Sequence, residues 1–438
     1  MQNHEPILDV RTLGVGKTLI LGLQHTFAMF GATVLVPILT GLPISTTLLF
    51  AGLGTLLFHL LTKGQVPAFL GSSFAFLGGY AAVAPLLEDG SPNTEMLPYA
   101  CGGVFCAGLV YLLLSALIKG FGAGKVMRFF PPVVTGPIII AIGLILAPSA
   151  INNCATNWPV AIIALITVIF FNIWGRGMAK IVPILLGIIV SYIAAFFMGD
   201  VSFEGIGEEA ILGLPPITLM KFDISAIITI MPLALATMME HIGDISAIGA
   251  TTGKNYIAEP GLHRTLLGDG LATCLAAAFG APANTTYGEN TGVLALTKVY
   301  DPRVMRIAAV FAIVLSCVPK IAFVIESIPT ATIGGISFIL YGMISAIGIR
   351  NVVENHVDFT RSRNTIIAAL ILVCALGFNS IGGISFTVAG ATISLSGLAI
   401  ASLVGIIVNA ILPGNEYVFP EDVKDNNDKF QTYKLEFC

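Results

Sequence analysis

The sequence predicts an all-α polytopic membrane protein of about fourteen transmembrane spans, built as two inverted seven-span repeats. Three observations predict it. First, the 438 residues are 56% hydrophobic and 11% charged, with a mean hydropathy of +0.91, too few charges to cover a soluble surface of this size. Second, residues 18–62, 129–175 and 364–415 contain no Asp, Glu, Lys or Arg. Each run exceeds the roughly 20 apolar residues that cross a bilayer, so each holds more than one span. Third, the basic residues collect in alternate connections.

Met1 to Val10 is polar and acid-containing, and the apolar run after it outlasts a signal h-region, so a cleavable leader is not expected. Dividing the apolar runs at Gly, Pro and charge clusters centres the spans near residues 28, 54, 77, 108, 140, 166, 189, 237, 271, 291, 312, 338, 372 and 404. With that division one side receives Arg11, Lys17, Lys63, Lys119, Lys125, Arg128, Arg176, Lys180, Lys254, Arg264, Lys298, Arg303, Arg306, Arg350, Arg361 and Arg363. Lys424, Lys429 and Lys434 join them, and the opposite side has only Lys221 and Lys320. The acids Glu88, Asp89, Glu95, Asp200, Glu204, Glu208 and Glu209 fall opposite the basic loops. By the positive-inside rule both termini are cytoplasmic, and the chain is a multi-pass protein of the cell membrane. Residues 416–438 form a polar tail, expected to be mobile and given no chemistry.

The midpoint, near residue 219, falls in an acidic external loop after the seventh span. An odd number of spans per half places the halves in opposite orientations, and transporters with that plan bind at broken helices where the halves meet. The third span reads Pro67-Ala-Phe-Leu-Gly71-Ser72-Ser73-Phe74-Ala75-Phe76, and the tenth Pro282-Ala-Asn284-Thr285-Thr286-Tyr287-Gly288-Glu289. An offset of 213 residues aligns Ser72-Ser73-Phe74-Ala75 with Thr285-Thr286-Tyr287-Gly288. Each is expected to be a short extended segment leading into a short helix, which at membrane depth must line a cavity or be buried in protein.

Glu240, Asp244, Asp269 and Glu289 fall inside spans, and no Lys or Arg accompanies them there. Intramembrane acids are costly and mark substrate or proton pathways, because a carboxyl group kept from water and cations readily exchanges a proton. Glu240 and Asp244 are four residues apart, on one helix face. Glu289 opens the half-helix of the tenth span. Asp269, in Gly268-Asp269-Gly270, either serves the pathway or ties span nine to a neighbour. His25 reads as a structural hydrogen-bonding residue and His59, beside Lys63, as close to the interface. His241 lies about 100° round the helix from Glu240 and reads as the partner of a core neighbour.

Other classes fit less well. Seven cysteines without a CxxC pair imply no metal site, disulfide framework or cofactor, and a net charge of −4 without a basic domain implies no nucleic-acid partner. A channel needs a continuous polar path rather than one acid cluster. An anion exchanger would place a base near the half-helix ends. An intramembrane protease would show HExxH or paired aspartates, and neither is present.

With these residues in view, the chain resembles the nucleobase–ascorbate transporter family, also called nucleobase–cation symporter family two, and most closely its bacterial uracil-transporting members. The resemblance runs from Gln24-His25-Thr-Phe-Ala-Met-Phe-Gly-Ala-Thr to about Leu412. Its most specific piece is Glu289-Asn290-Thr-Gly292-Val-Leu-Ala-Leu-Thr297-Lys298, joined by Gly71-Ser72-Ser73-Phe74-Ala75-Phe76 and Met239-Glu240-His241-Ile242-Gly243. The resemblance implies a core domain of spans one to four (residues 1–121) and eight to eleven (residues 226–322). It implies a gate domain of spans five to seven (residues 122–225) and twelve to fourteen (residues 323–415), and a homodimer. It implies that Glu240 and Glu289 hold a nucleobase, with Phe74 and Gly288 offering amides, Tyr287 and Tyr341 forming walls, and Asn290, His25 and Ser72 bracing the site. The implied activity is proton-coupled import of uracil by alternating access, with Asp244, Glu240 and Asp269 as proton-coupling candidates. Xanthine or uric acid transport on the same scaffold is the second expectation. The chain departs from some uracil-transporting members at Asp244, where they have histidine, which turns the proton-coupling expectation to that acid.

Overall fold

In a bilayer a bare backbone has no water to bond, so apolar sequence closes its hydrogen bonds within helices. The computed structural model describes residues 6–414 apart from 86, 88–90, 202, 204–206, 208–209 and 389–390. The expected tail, its three lysines, and the loop acids Glu88, Asp89, Glu204, Glu208 and Glu209 lie outside the described residues. The first half runs α1 (Val15–Thr40), α2 (Ile44–Leu61), β1 (Leu70–Ser72), α3 (Leu77–Val83), α4 (Leu97–Phe121), α5 (Ala123–Met127), α6 (Pro132–Ala155), α7 (Trp158–Trp174), α8 (Met178–Ile181) and α9 (Pro183–Met198). The second half begins α10 (Ile224–Ile230), α11 (Leu233–Thr252), α12 (Leu262–Ala278), β2 (Asn284–Thr286) and α13 (Gly288–Thr297). It ends α14 (Arg303–Ser316), α15 (Pro319–Glu326), α16 (Thr330–Glu354), α17 (Ser362–Ser380), β3 (Ile384–Val388), β4 (Ala391–Leu395) and α18 (Gly397–Ile411).

The protein is thus a mostly helical, polytopic membrane protein, and every expected span centre falls inside one of these helices. Among the described residues, seven segments are long and apolar enough to cross a membrane alone: α1, α2, α4, α6, α10 with α11, α16 and α17. An eighth arises if α14 and α15, bent by 84°, count as one. Length and composition therefore give seven or eight crossings, against about fourteen from the charge pattern. The difference lies in the short apolar helices α7, α9 and α18, in the half-helices α3 and α13, and in α12, which carries Arg264 and Asp269.

Packing repeats with the halves exchanged. α4 lies along α12, and α14 lies along α2; α7 packs on α9, and α17 on α18. Matching the spans of one half to those of the other in order turns each first pair into the second. The pairs α2 with α12 and α6 with α16 map onto themselves.

One element is new. The charge-free stretch 364–415 reads as two spans, yet between α17 and α18 it forms an antiparallel hairpin, with Ile384 opposite Leu395 and Phe386 opposite Ile393. Gly382 and Gly383, at φ +81° and +86°, turn the chain out of α17. Ile384, Phe386, Thr387 and Val388 follow, β-branched and aromatic residues that suit a strand, and no charge marks the change. β4 packs against α10.

Candidate functional site

Two breaks in the helical backbone create the site. The chain enters each from a proline, Pro67 or Pro282, and continues extended. β1 and β2 then pair antiparallel, with Leu70 opposite Thr286, Gly71 opposite Thr285 and Ser72 opposite Asn284. The Tyr287 N–H donates to the Phe69 carbonyl at 3.0 Å and the Ser73 N–H to the Ala283 carbonyl at 2.8 Å. Each broken span thereby satisfies the other's backbone, which a membrane interior requires. Helices anchor both strands: the Thr55 hydroxyl of α2 accepts from the Leu70 N–H at 2.9 Å, and the Thr273 hydroxyl of α12 donates to the Asn284 carbonyl at 2.9 Å.

Gly71 has to be glycine. A Cβ there would lie 2.4 Å from Tyr287 Cζ and 2.8 Å from Thr33 Oγ1. The Tyr287 ring fills that space, its hydroxyl donating to the Ser72 carbonyl at 2.9 Å and accepting from Thr33 Oγ1 at 3.3 Å. The Ser72 hydroxyl donates to the Thr33 carbonyl at 2.7 Å. Tyr287 and Ser72 thus tie both strands to α1, a link that the sequence reading divided between a wall and a brace.

Both strands run into helical turns without a side-chain cap, at Ser73 before the 3₁₀ turn Phe74–Phe76 and at Tyr287 before α13. Helix starts of this kind leave backbone N–H groups unpaired and carry a partial positive charge. The Phe74 ring meets Tyr341 of α16 edge-on, centroids 6.3 Å apart.

The four acids gather here. Glu240 and Asp244 project one turn apart from α11, Glu289 stands in the first turn of α13, and Asp269 comes from α12. Glu240 is within electrostatic reach of Glu289 and Asp269, and Asp244 within reach of all three others. A Cβ on Gly288 would lie 3.7 Å from Asp244 Oδ1, so α13 starts against that carboxylate. Among the described residues none of the four forms an ion pair with Lys or Arg. Glu240, Asp244 and Glu289 are half-buried and Gly288 is exposed, whereas Asp269 is fully buried. Cβ atoms added to Gly243 or Gly292 would meet nothing within 4 Å, so open space borders α11 and α13 here.

Asp269 is tied to a neighbouring helix, as one sequence reading had it, and the partner is His241: Oδ2 lies 3.2 Å from Nδ1. The Thr286 hydroxyl stands 3.4 Å from the same nitrogen and donates to Asp244 Oδ2 at 3.2 Å. Sequence reasoning missed Thr286 as a bridge; its only signal was a hydroxyl at the broken span. Asn290 Nδ2 donates to the His25 carbonyl at 3.1 Å and meets His25 Nδ1 at 3.1 Å, bracing α13 on α1. His59, read from the sequence as close to the interface, is only 2% exposed. It contacts the Ala68 carbonyl through Nε2 at 2.8 Å, supporting the approach to β1.

The model of the permease family matches residues 16–384. A uracil permease of Bacillus caldolyticus is 40% identical, covering 97% of this chain and 99% of its own. A uracil permease of Escherichia coli K12 is 38% identical, covering 94% and 96%. Among solved structures, the transmembrane domain of the cyanobacterium bicarbonate transporter BicA is similar with a TM-score of 0.62 at 18% identity. That match covers 92% of this chain and 98% of BicA's and speaks to the fold alone.

Proposed function

This chain belongs to the permease family, and we propose that within it the protein is a proton-coupled importer of uracil that works by alternating access. One observation carries the reading: Glu240 and Glu289, which among the described residues form no ion pair with Lys or Arg, stand beside uncapped half-helix starts that β1 and β2 hold together. Identity of about 40% to uracil permeases over nearly the whole chain directs it to that base.

Uracil presents two N–H donors and two carbonyl acceptors on one rim. The carboxylates of Glu240 and Glu289 accept from the N–H groups, and the amides at Phe74 and Gly288 donate to the carbonyls. Hydrogen bonds to a charged partner contribute about 1.5–3 kcal/mol each, enough to supply most of the selectivity. Phe74 and Tyr341 offer an apolar face, and Asn290, His25 and Ser72 keep the half-helices in place. Asp244 takes up and releases the coupled proton, with Asp269 behind it.

Alternating access follows if a core of spans one to four and eight to eleven moves against a gate of spans five to seven and twelve to fourteen. Phe74 belongs to that core and Tyr341 to that gate, so their ring contact would open and close with the motion. The basic loops place both termini in the cytoplasm, and two copies associate through the gate.

Competition of labelled uracil uptake by unlabelled nucleobases tests the substrate. Unlabelled uracil should abolish uptake and xanthine and uric acid should leave it. If labelled uracil is not taken up while labelled xanthine or uric acid is, the protein is a purine permease on the same scaffold.

A further inference from the structure

We propose that Thr286 and His241 form a proton relay joining Asp244, which borders open space beside Gly288, to Asp269, which is sealed behind it. The proposal rests on the proton-coupled reading above and assigns it a route. Three contacts carry it: Asp244 Oδ2 to Thr286 Oγ1 at 3.2 Å, Thr286 Oγ1 to His241 Nδ1 at 3.4 Å, and His241 Nδ1 to Asp269 Oδ2 at 3.2 Å. The residues come from three separate elements: α11 supplies Asp244 and His241, β2 supplies Thr286 and α12 supplies Asp269.

Their surroundings suit transfer better than support. His241 and Asp269 are fully buried, yet among the described residues neither Asp269 oxygen nor His241 Nε2 has a hydrogen-bond partner, and the 3.2 Å approach of Oδ2 to Nδ1 is an ion-pair contact only. A structural ion pair in an interior is stabilising only when its remaining donors and acceptors are satisfied, and these are not. The other titratable groups near the relay are Glu240 on α11, Glu289 on α13 and Tyr111 on α4, whose hydroxyl donates to Thr237. From α2 the Phe58 ring closes over His241 edge-on at 6.3 Å, and water is kept out on that side.

The transfer balances. With His241 neutral and protonated at Nε2, the Asp244 carboxyl proton passes to Thr286 Oγ1 as the original Thr286 hydroxyl proton passes to His241 Nδ1. The hydroxyl is restored and the ring is briefly an imidazolium. The Nδ1 proton then moves to the Asp269 carboxylate. The net change is one ionised Asp244 and one neutral Asp269. Both partners meet the same ring nitrogen, whose single in-plane N–H points at one of them at a time, so a small swing of the His241 ring carries the proton from Thr286 to Asp269.

Purified protein in liposomes tests the relay with Thr286→Val, which keeps the side-chain shape without the hydroxyl, and Thr286→Ser, which restores it. For one proton per uracil, a gradient of one pH unit holds about a tenfold accumulation, since one unit is about 1.4 kcal/mol. Wild type and Thr286→Ser should approach that value. Thr286→Val should bind uracil and exchange it in counterflow like wild type but accumulate almost none. His241→Asn, on a different element, should show the same split. Full accumulation by Thr286→Val, or loss of binding together with accumulation in both Thr286→Val and His241→Asn, overturns the relay. Failure of wild type to bind uracil would instead overturn the substrate reading, and the variants would then be compared on the nucleobase that the competition panel selects.

Discussion

At Glu289 a carboxylate opens the first turn of α13, where the helix dipole favours negative charge and the preceding Gly288 leaves the approach open. Glu289→Gln keeps the volume but allows an amide NH₂ to face a uracil N–H. An unmade buried hydrogen bond costs about 1–3 kcal/mol, so uracil affinity should fall roughly five- to over a hundredfold. Isothermal titration of both proteins decides it, and equal affinities would mean that Glu289 does not touch the substrate. The acids were legible in the sequence because a charge inside an apolar run stands out by composition alone. Their connections were not. His241 was expected to turn away from Glu240 toward a core neighbour, but the identity of that neighbour depends on how α12 packs on α11. Thr286 bridges Asp244 and His241 only because β2 is extended, which aims its hydroxyl at α11.

The broken spans were legible as elements, since proline, glycine and paired hydroxyls interrupt two apolar runs at matching positions. That they pair with each other, and in which register, was not, because the partners are over 200 residues apart and each strand has only three residues. The hairpin β3–β4 escaped for another reason: a charge-free run reads the same whether it forms a span or an apolar sheet. A further element emerged at the N-terminus. Ile7 pairs with the segment after α13, its N–H donating to the Lys298 carbonyl and its carbonyl accepting from the Tyr300 N–H, both at 2.9 Å. Asp301 accepts from the Val10 N–H at 2.9 Å, and Arg303 donates to Asp9 at 2.9 Å. This strap fastens the far end of the half-helix that begins at the site. Hydrogen bonds from the Arg11 side chain and backbone hold the Asp9 carboxyl well below the usual carboxylate range. A carboxyl depressed in the folded state contributes its full stabilisation above its ordinary pKa, about 3.9, and loses it only as pH falls through the depressed value. Amide-exchange protection at Ile7 and Tyr300, corrected for intrinsic rates, should therefore be equal at about pH 7.5 and pH 5. Asp301→Ala should reduce it at both. Protection that fades in the wild type between those pH values would mean that another group holds the strap.

Across the whole molecule, the exchange of packing partners between halves repeats at the scale of helices what β1 and β2 do at the scale of strands. Alternation of basic and acidic loops already pointed to two oppositely oriented halves, because loop charge records which side of the membrane each connection faces. Helix length does not supply that information: among the described residues it gives seven or eight crossings and leaves the half-helices and short apolar helices uncounted. The same plan gathers four acids at the junction of the halves, and among the described residues none of them is ion-paired with Lys or Arg; in the proposed function this cluster lets the proton gradient drive transport. Uptake of labelled uracil by liposomes containing the purified protein, with the interior alkaline, tests it directly. Uptake should rise with the imposed pH difference, collapse on addition of a protonophore and be unchanged when sodium is removed. Uptake that ignores the protonophore and follows sodium would contradict it.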